Sequence, residues 1–110
     1  MGDDITQKQQ EICTRYKSAY NPLRPADRIA IAIETIGQSP IYGTRLTKSV
    51  PGEIEWFVYC GEHSTDKNFY SPVCYEHIKD ILPFIEKYLA LDTGFNFITD
   101  HNGYEDVWQE

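Results

Sequence analysis

The dipeptide Asn102-Gly103 constrains the fold of this chain more than any other feature of its sequence. It separates two short runs, Phe95–Thr99 and Tyr104–Trp108, that contain aromatic and β-branched residues. Asn-Gly between two such runs is typical of a hairpin turn, because the turn requires positive φ angles that these two residue types accept. Residues 95–108 are therefore predicted to form an antiparallel β-hairpin.

A second hairpin is predicted nearer the middle of the chain. Residues 42–48 are rich in Thr and Tyr, and Ile54–Cys60 is a compact apolar run. Between them, Val50-Pro51-Gly52-Glu53 contains the residue types that favour a turn. Two strands joined by this short connection are expected to be antiparallel.

Both faces of the strand predicted at residues 54–60 carry apolar side chains. Alternation places Trp56 and Val58 on one face of the sheet, and Phe57 and Tyr59 on the other. One face must pack on helices. The other face either packs as well or remains an aromatic surface with acidic neighbours, which is the composition of a binding surface.

Helical segments are predicted before and between the hairpins. Asp4 is a capping residue for a first helix that continues to about Tyr20. Pro25 suits the first turn of a second helix that Gly37 would end. The segment Ile29–Ile33 also alternates like a strand, but its apolar residues share a helical face, and we interpret it as helix.

A third helix is predicted to begin at Ser71-Pro72, where a capping residue precedes a first-turn proline. Its apolar stripe continues to about Leu91, and Pro83 is expected to divide it into two short helices. The resulting order, ααββααββ, predicts an α+β fold with an antiparallel four-stranded sheet packed against about four helices. The length of 110 residues fits one domain covering the whole of residues 1–110.

The net charge of −7 is unevenly distributed along the chain. Residues 1–40 carry five basic and five acidic side chains, whereas residues 41–110 carry five basic and twelve acidic ones. A surface of this sign repels phosphate groups, which argues against nucleic-acid binding, and it attracts a basic protein partner. Solubility is the alternative role for this charge.

The chain is expected to be cytoplasmic. No stretch approaches the roughly 20 apolar residues that span a membrane, and the acidic start is unlike a signal peptide. The three cysteines are an odd number without a dense framework, which fits free thiols in a reducing compartment.

One pattern is compatible with metal chemistry. Cys60-x2-His63 and Cys74-x2-His77 are two pairs of ligand types that suit tetrahedral zinc, and a small zinc-binding module is one alternative function. Buried free thiols with a capping histidine are the other interpretation. A cysteine-dependent hydrolase would use the same residues, but no nucleophile elbow or glycine-rich oxyanion turn accompanies them. We therefore expect no metal, no cofactor and no catalytic residue.

Two stretches of the chain resemble a bacterial immunity-protein family of polymorphic toxin systems, the family called immunity protein thirty-three. The resemblance lies in Glu55–Glu62 with Phe69–Val73 and His77, in Tyr88–Ile98, and in Gly103–Trp108, with a further likeness at Pro40–Arg45. It covers roughly residues 26–108, and the predicted helix within residues 1–20 lies outside it.

The resemblance implies a non-enzymatic protein that binds a cognate toxin and neutralises it. The residues that match the family motifs are Glu62, Glu105, Asp106 and Trp108, and Tyr70 and Trp56 lie near them in sequence. The two tryptophans have the alternative of a place in the core, and Glu105 is the residue expected to be exposed. A nuclease domain with a basic substrate site is one target that an acidic surface would fit.

Overall fold

The computed structural model describes residues 3–46, 54–66, 68–100 and 102–109. The turn predicted at Val50–Glu53 lies outside the described residues, as does the end of the strand predicted to reach Lys48. The side chain of Asp4, the predicted cap, is also outside what is described.

The described residues form one mixed sheet of six strands with order β4-β1-β3-β2-β5-β6. The strands are β1 (Arg28–Ile31), β2 (Ile41–Arg45), β3 (Ile54–Cys60), β4 (Ser71–Cys74), β5 (Phe95–Thr99) and β6 (Glu105–Gln109). β1 runs parallel to β3, and the other neighbouring pairs are antiparallel. The α+β class is confirmed, but the prediction of an antiparallel four-stranded sheet packed against about four helices, in the order ααββααββ, is wrong in detail.

The predicted second helix is one source of this error, because the segment forms strand β1 instead. β1 lies between β3 and β4, and its residues Ile29, Ala30 and Ile31 are all buried. A strand covered on both faces is apolar at every position, so the alternation of Ile and Ala in this segment lacks the polar residues that identify a half-exposed strand. Only a short 3-10 helix, Ile33–Thr35, follows it.

Ser71-Pro72 does not begin a helix either. It begins the edge strand β4, which pairs with β1 on one side only. Proline lacks an N–H donor, and an edge strand tolerates that loss where a central strand does not.

Helices cover one face of the sheet. They are α1 (Asp3–Arg15), α2 (Ile78–Ile81) and 3-10 helices at Tyr75–His77 and Pro83–Tyr88. The division of the third predicted helix at Pro83 is confirmed, whereas the first helix ends at Arg15 rather than near Tyr20. Lys17 has a φ of 59°, which no helical residue adopts, and Tyr20 forms a β-bridge with Leu91.

The main core lies between the sheet and these helices. The Trp56 side chain is fully buried, and its indole Nε1 donates a hydrogen bond of 3.2 Å to the Leu89 carbonyl. The rings of Phe97 and Tyr88 stack with centroids 4.6 Å apart. The sheet and the 3-10 helix at residues 83–88 are therefore held together by both apolar packing and a buried hydrogen bond.

Gly43 in β2 makes room for this packing. It lies opposite Phe97 in the ladder between β2 and β5, and the Phe97 ring occupies the space where a β-carbon of residue 43 would project. A side chain at this position would displace a ring at the centre of the core.

None of the described helices is long and apolar enough to cross a membrane.

Candidate partner-binding face

The sheet has a second face, turned away from the helices, which we call the open face. Its side chains are those that alternate with the core positions of β2, β3, β5 and β6: Tyr42, Thr44, Phe57, Tyr59, Asn96, Ile98, Asp106 and Trp108. The ladder aligns them in two rows across the sheet, Phe57–Thr44–Asn96–Trp108 and Tyr59–Tyr42–Ile98–Asp106. The apolar character of both strand faces is thus confirmed for β3.

One half of the open face carries an aromatic cluster, composed of Tyr42, Phe57, Tyr59, His63, Phe69 and Tyr70. Tyr42 and Tyr59 are directly opposite each other on neighbouring strands, and their rings stack with centroids 4.9 Å apart. Residues of the following loop lie over the sheet: the ring centroids of Tyr70 and Phe57 are 5.2 Å apart, and those of His63 and Tyr59 are also 5.2 Å apart. Edge-to-face ring contacts of this kind hold the loop against the strands.

Two tyrosines of this cluster, Tyr59 and Tyr70, keep their protons at neutral pH. Burial raises the pKa of Tyr59 and of Tyr70, and each pKa is raised further by a neighbouring tyrosine of the cluster. Both hydroxyls are therefore neutral groups that donate and accept hydrogen bonds at a surface.

The other half of the open face is more exposed and is formed by β5 and β6. Trp108 is 41% exposed although it lies in a strand, and Asp106 beside it is exposed as well. Two loop carboxylates, Glu62 and Asp66, are exposed next to residues of the aromatic cluster in sequence. An exposed indole with a carboxylate on the same strand face, Trp108 with Asp106, resembles the make-up of a binding surface.

The neighbour of Asp106 in the strand points the other way. Glu105 faces the helices, where its carboxylate accepts hydrogen bonds from the hydroxyls of Tyr16 and Tyr88, both at 2.6 Å. The Arg15 guanidinium forms an ion pair with the same carboxylate, with Nη1 2.7 Å from Oε2. Only 16% of the Glu105 side chain is exposed. The expectation that Glu105 is exposed is wrong, because strand alternation turns it to the helical side.

These contacts shift the titration of the Glu105 carboxyl. Its burial raises the pKa, but the hydrogen bonds from Tyr16, Tyr88 and Arg15 together outweigh that effect, so the pKa is lowered. Glu105 is therefore an ionised link between the sheet and the end of α1 at neutral pH.

A family model described as the Imm33-like domain matches residues 8–110 of the chain. The chain belongs to the Imm33-like family. No curated protein matches it, and no solved structure does. The matched range begins within α1, before residue 26, where the resemblance in the sequence was expected to begin.

The Imm33-like fold distributes the six candidate residues over both sides of the sheet. Asp106, Trp108 and Tyr70 share the open face, and Glu62 lies in the loop that crosses it. Glu105 and Trp56 lie on the helical side, and Trp56 is fully buried. The alternative of a core position is thus the correct one for Trp56, whereas Trp108 is exposed.

The same fold keeps the proposed zinc ligands apart. Among the described residues, which include Cys60, His63, Cys74 and His77, no group of three or more His, Cys, Asp or Glu side chains is placed to hold a metal ion. His63 belongs to the aromatic cluster, and the His77 imidazole lies 3.5 Å from the Glu76 carboxylate. The x2 spacing therefore does not bring the two pairs together.

Two of the cysteines, Cys13 and Cys60, are buried, and burial disfavours the charged thiolate. Burial raises the pKa of Cys60 more than its hydrogen bond with Thr35 lowers it, and burial likewise raises the pKa of Cys13. A raised pKa favours the neutral thiol over the thiolate, which is the reactive form.

Two residues of the aromatic cluster, His63 and Phe69, were not recognised from the sequence as part of a surface. The alternation of Phe57 and Tyr59 indicates a second aromatic face, but the contacts of His63 and Phe69 depend on how their loop lies on the sheet. No periodic pattern encodes those contacts, because His63 and Phe69 lie outside the helices and strands.

Proposed function

We propose that this Imm33-like chain is a non-enzymatic immunity protein, which binds a cognate toxin protein in the cytoplasm and neutralises it through the open face. The observation that carries the proposal is the exposure of Trp108 and Asp106 on a sheet face that also holds the aromatic cluster. Family membership supports the class of function, and the geometry of the face supports the choice of surface.

The open face has the features from which tight protein interfaces are built. Tryptophan and tyrosine are the side chains that most often dominate binding energy, particularly when polar groups surround them. Strand pairing fixes the backbone at Trp108, and ring contacts hold the tyrosine side chains, so little side-chain entropy of the tyrosines is lost when a partner covers them. A rigid, preorganised face suits an inhibitor that must bind quickly and dissociate slowly.

The sign of the charge favours a basic partner. Asp106, Glu62 and Asp66 are the exposed carboxylates of the open face and its loop. On the helical side, three basic side chains, Lys8, Arg15 and Lys87, line one groove together with Glu11. A toxin that acts on nucleic acid presents a basic substrate site, and an acidic face would occupy that site in competition with the substrate.

Replacement of Trp108 tests the proposal. We expect Trp108→Ala to weaken binding to the toxin domain encoded next to this chain by about 2 kcal/mol, or roughly thirtyfold in Kd, because the interface loses a tryptophan side chain that the partner would bury. Isothermal titration calorimetry measures the change. Phe84→Ala is the matched control, since Phe84 is 37% exposed but lies on the helical side.

The two variants separate the possible results. Equal affinity of the wild type and Trp108→Ala for the toxin domain would assign binding to another surface. Loss of affinity in Phe84→Ala alone would place the binding surface on the helical side. Absence of any binding by the wild-type chain would refute the immunity function itself.

A further inference from the structure

The sheet ends in two edge strands that differ in how they resist pairing with another chain. β4 has four residues and contains Pro72, and both its short length and its proline protect an edge. β6 has five residues without proline or lysine, and it pairs with β5 in unbroken register. Of the two edges, β6 is the one open to a further strand.

The direction of the main-chain groups of β6 follows from the hairpin. The Asp100 N–H donates to the Tyr104 carbonyl at 3.2 Å, so these opposite residues form a hydrogen-bonded pair. Hydrogen-bonded and non-bonded pairs alternate along an antiparallel ladder. Asp106 and Trp108 therefore direct their N–H and C=O groups to β5, whereas Glu105, Val107 and Gln109 direct theirs to the free edge.

We propose that this edge pairs with β6 of a second copy of the chain, antiparallel and centred on Val107. In this register Glu105 of one copy lies opposite Gln109 of the second copy. Asp106 likewise lies opposite Trp108 of the second copy, and the two Val107 residues lie opposite each other. All five residues of β6 take part, and each outward N–H meets an outward carbonyl. The two copies form one continuous sheet.

The charges and the length of β6 select this register. Centring the pair on Asp106 places two aspartates directly opposite each other, and centring it on Glu105 does the same for two glutamates; like charges in these positions destabilise a sheet. In the register centred on Val107, each acid lies opposite a neutral residue. Centring the pair on Trp108 avoids like charges as well, but it pairs only Val107–Gln109, so the register centred on Val107 is the one that uses the whole strand.

This pairing is independent of toxin binding and is compatible with it. Asp106 and Trp108 stay on the open face, which the second copy extends rather than covers. A five-residue strand on each side buries less than the roughly 800 Å² per partner of a stable interface, so the dimer is weak and depends on concentration.

Sedimentation of the purified full chain over a concentration series tests the proposal. The expected mass rises from the 12.8 kDa of one chain toward twice that value. Gln109→Pro removes the outward N–H of residue 109, so that the Glu105 carbonyl of each copy loses its donor on the other copy. The dissociation constant of the dimer is expected to rise about tenfold or more. Gln109→Ala is the matched control: both variants lose the side-chain bond to the Thr93 carbonyl, but Ala keeps the N–H and dimerises like the wild type.

A monomer at every concentration would overturn the proposal, as would a dimer that Gln109→Pro leaves unchanged. If the chain is monomeric and Gln109→Pro instead weakens binding of the toxin domain, the free edge of β6 contacts the toxin and the dimer is refuted. Circular dichroism shows whether the proline variant is folded.

Disulfide cross-linking gives a second measurement that needs no proline. With Cys74 changed to Ser, a mixture of Asp106→Cys and Trp108→Cys chains is expected to form a mixed disulfide, because these two positions face each other as a non-bonded pair. Each variant alone remains uncross-linked. A mixture that forms no mixed disulfide contradicts the register.

Discussion

At the scale of single residues, Glu105 and Asp106 show how strand alternation separates neighbouring acids. Asp106 is exposed on the open face, whereas Glu105 accepts hydrogen bonds from Tyr16 and Tyr88 on the helical side. The resemblance in sequence includes both residues in one motif, but their side chains have different tasks. Asp106 is available to a partner, and Glu105 links β6 to α1 and to the 3-10 helix at residues 83–88.

Glu105→Gln tests this structural link. The pKa of Glu105 is lowered in the folded protein, so its ionised form contributes stability above the pKa of the unfolded chain, and that contribution is lost as pH falls through the folded pKa. We expect Glu105→Gln to destabilise the protein by about 1–3 kcal/mol at pH 7, because charge-assisted hydrogen bonds from the two tyrosines are lost.

Urea unfolding at neutral and acidic pH measures this effect. The difference in the free energy of unfolding between the wild type and Glu105→Gln should shrink as the solution becomes more acidic. A difference that stays constant with pH would show that Glu105 does not act as a carboxylate. Glu62→Gln, a change at an exposed loop residue, serves as the control and should be nearly neutral.

At the scale of secondary-structure elements, β2 depends on the absence of a side chain at Gly43. Glycine within a strand is normally unfavourable, and its replacement by alanine would usually stabilise the protein. Here the Phe97 ring occupies the position of the new methyl group. Close packing therefore reverses the expected sign.

We expect Gly43→Ala to destabilise the protein by about 1–3 kcal/mol, the usual cost of overpacking a core. Thermal or urea denaturation measures it. Phe97→Leu provides the matched test, because a smaller side chain at residue 97 leaves room for the methyl group. The double variant should be more stable than the sum of the two single effects predicts, and strict additivity would contradict the contact.

At the scale of the whole molecule, the charge that matters for association is the group of exposed carboxylates on one side of the sheet. The open face and its loop carry Asp106, Glu62 and Asp66, whereas the groove on the helical side is lined by both signs of charge, with Lys8, Arg15 and Lys87 beside Glu11. A basic partner approaching from solution would be attracted to the open face, and salt would weaken that attraction within a screening length of roughly 8–10 Å.

A pair of charge reversals tests this arrangement. Asp106→Lys and Asp80→Lys change the net charge equally, but Asp80 is an exposed residue of α2. We expect Asp106→Lys to slow association with the toxin domain about tenfold or more at low salt, and Asp80→Lys to change it far less. Stopped-flow or surface-based kinetics at several salt concentrations measure the rates. Equal effects of both variants would mean that only the net charge matters.

The sequence by itself determined the features that depend on neighbouring residues. The hairpin at residues 95–108, the strand Ile54–Cys60 and the break at Pro83 were all predicted, because turn residues, alternation and proline act over a few positions. The two apolar faces of β3 and the family motifs, confirmed by the match over residues 8–110, were also visible in the sequence.

Tertiary structure alone decided which segments entered the sheet and which acids reached the surface. Ile29–Ile31 became a strand because β3 and β4 pair with its two edges, and all three residues are buried, so its own apolar pattern did not distinguish strand from helix. Glu105 turned inward, and His63 joined the aromatic cluster instead of a metal site, because long-range packing positions them. Contacts between distant segments leave no period in the sequence, and the open face is made of such contacts.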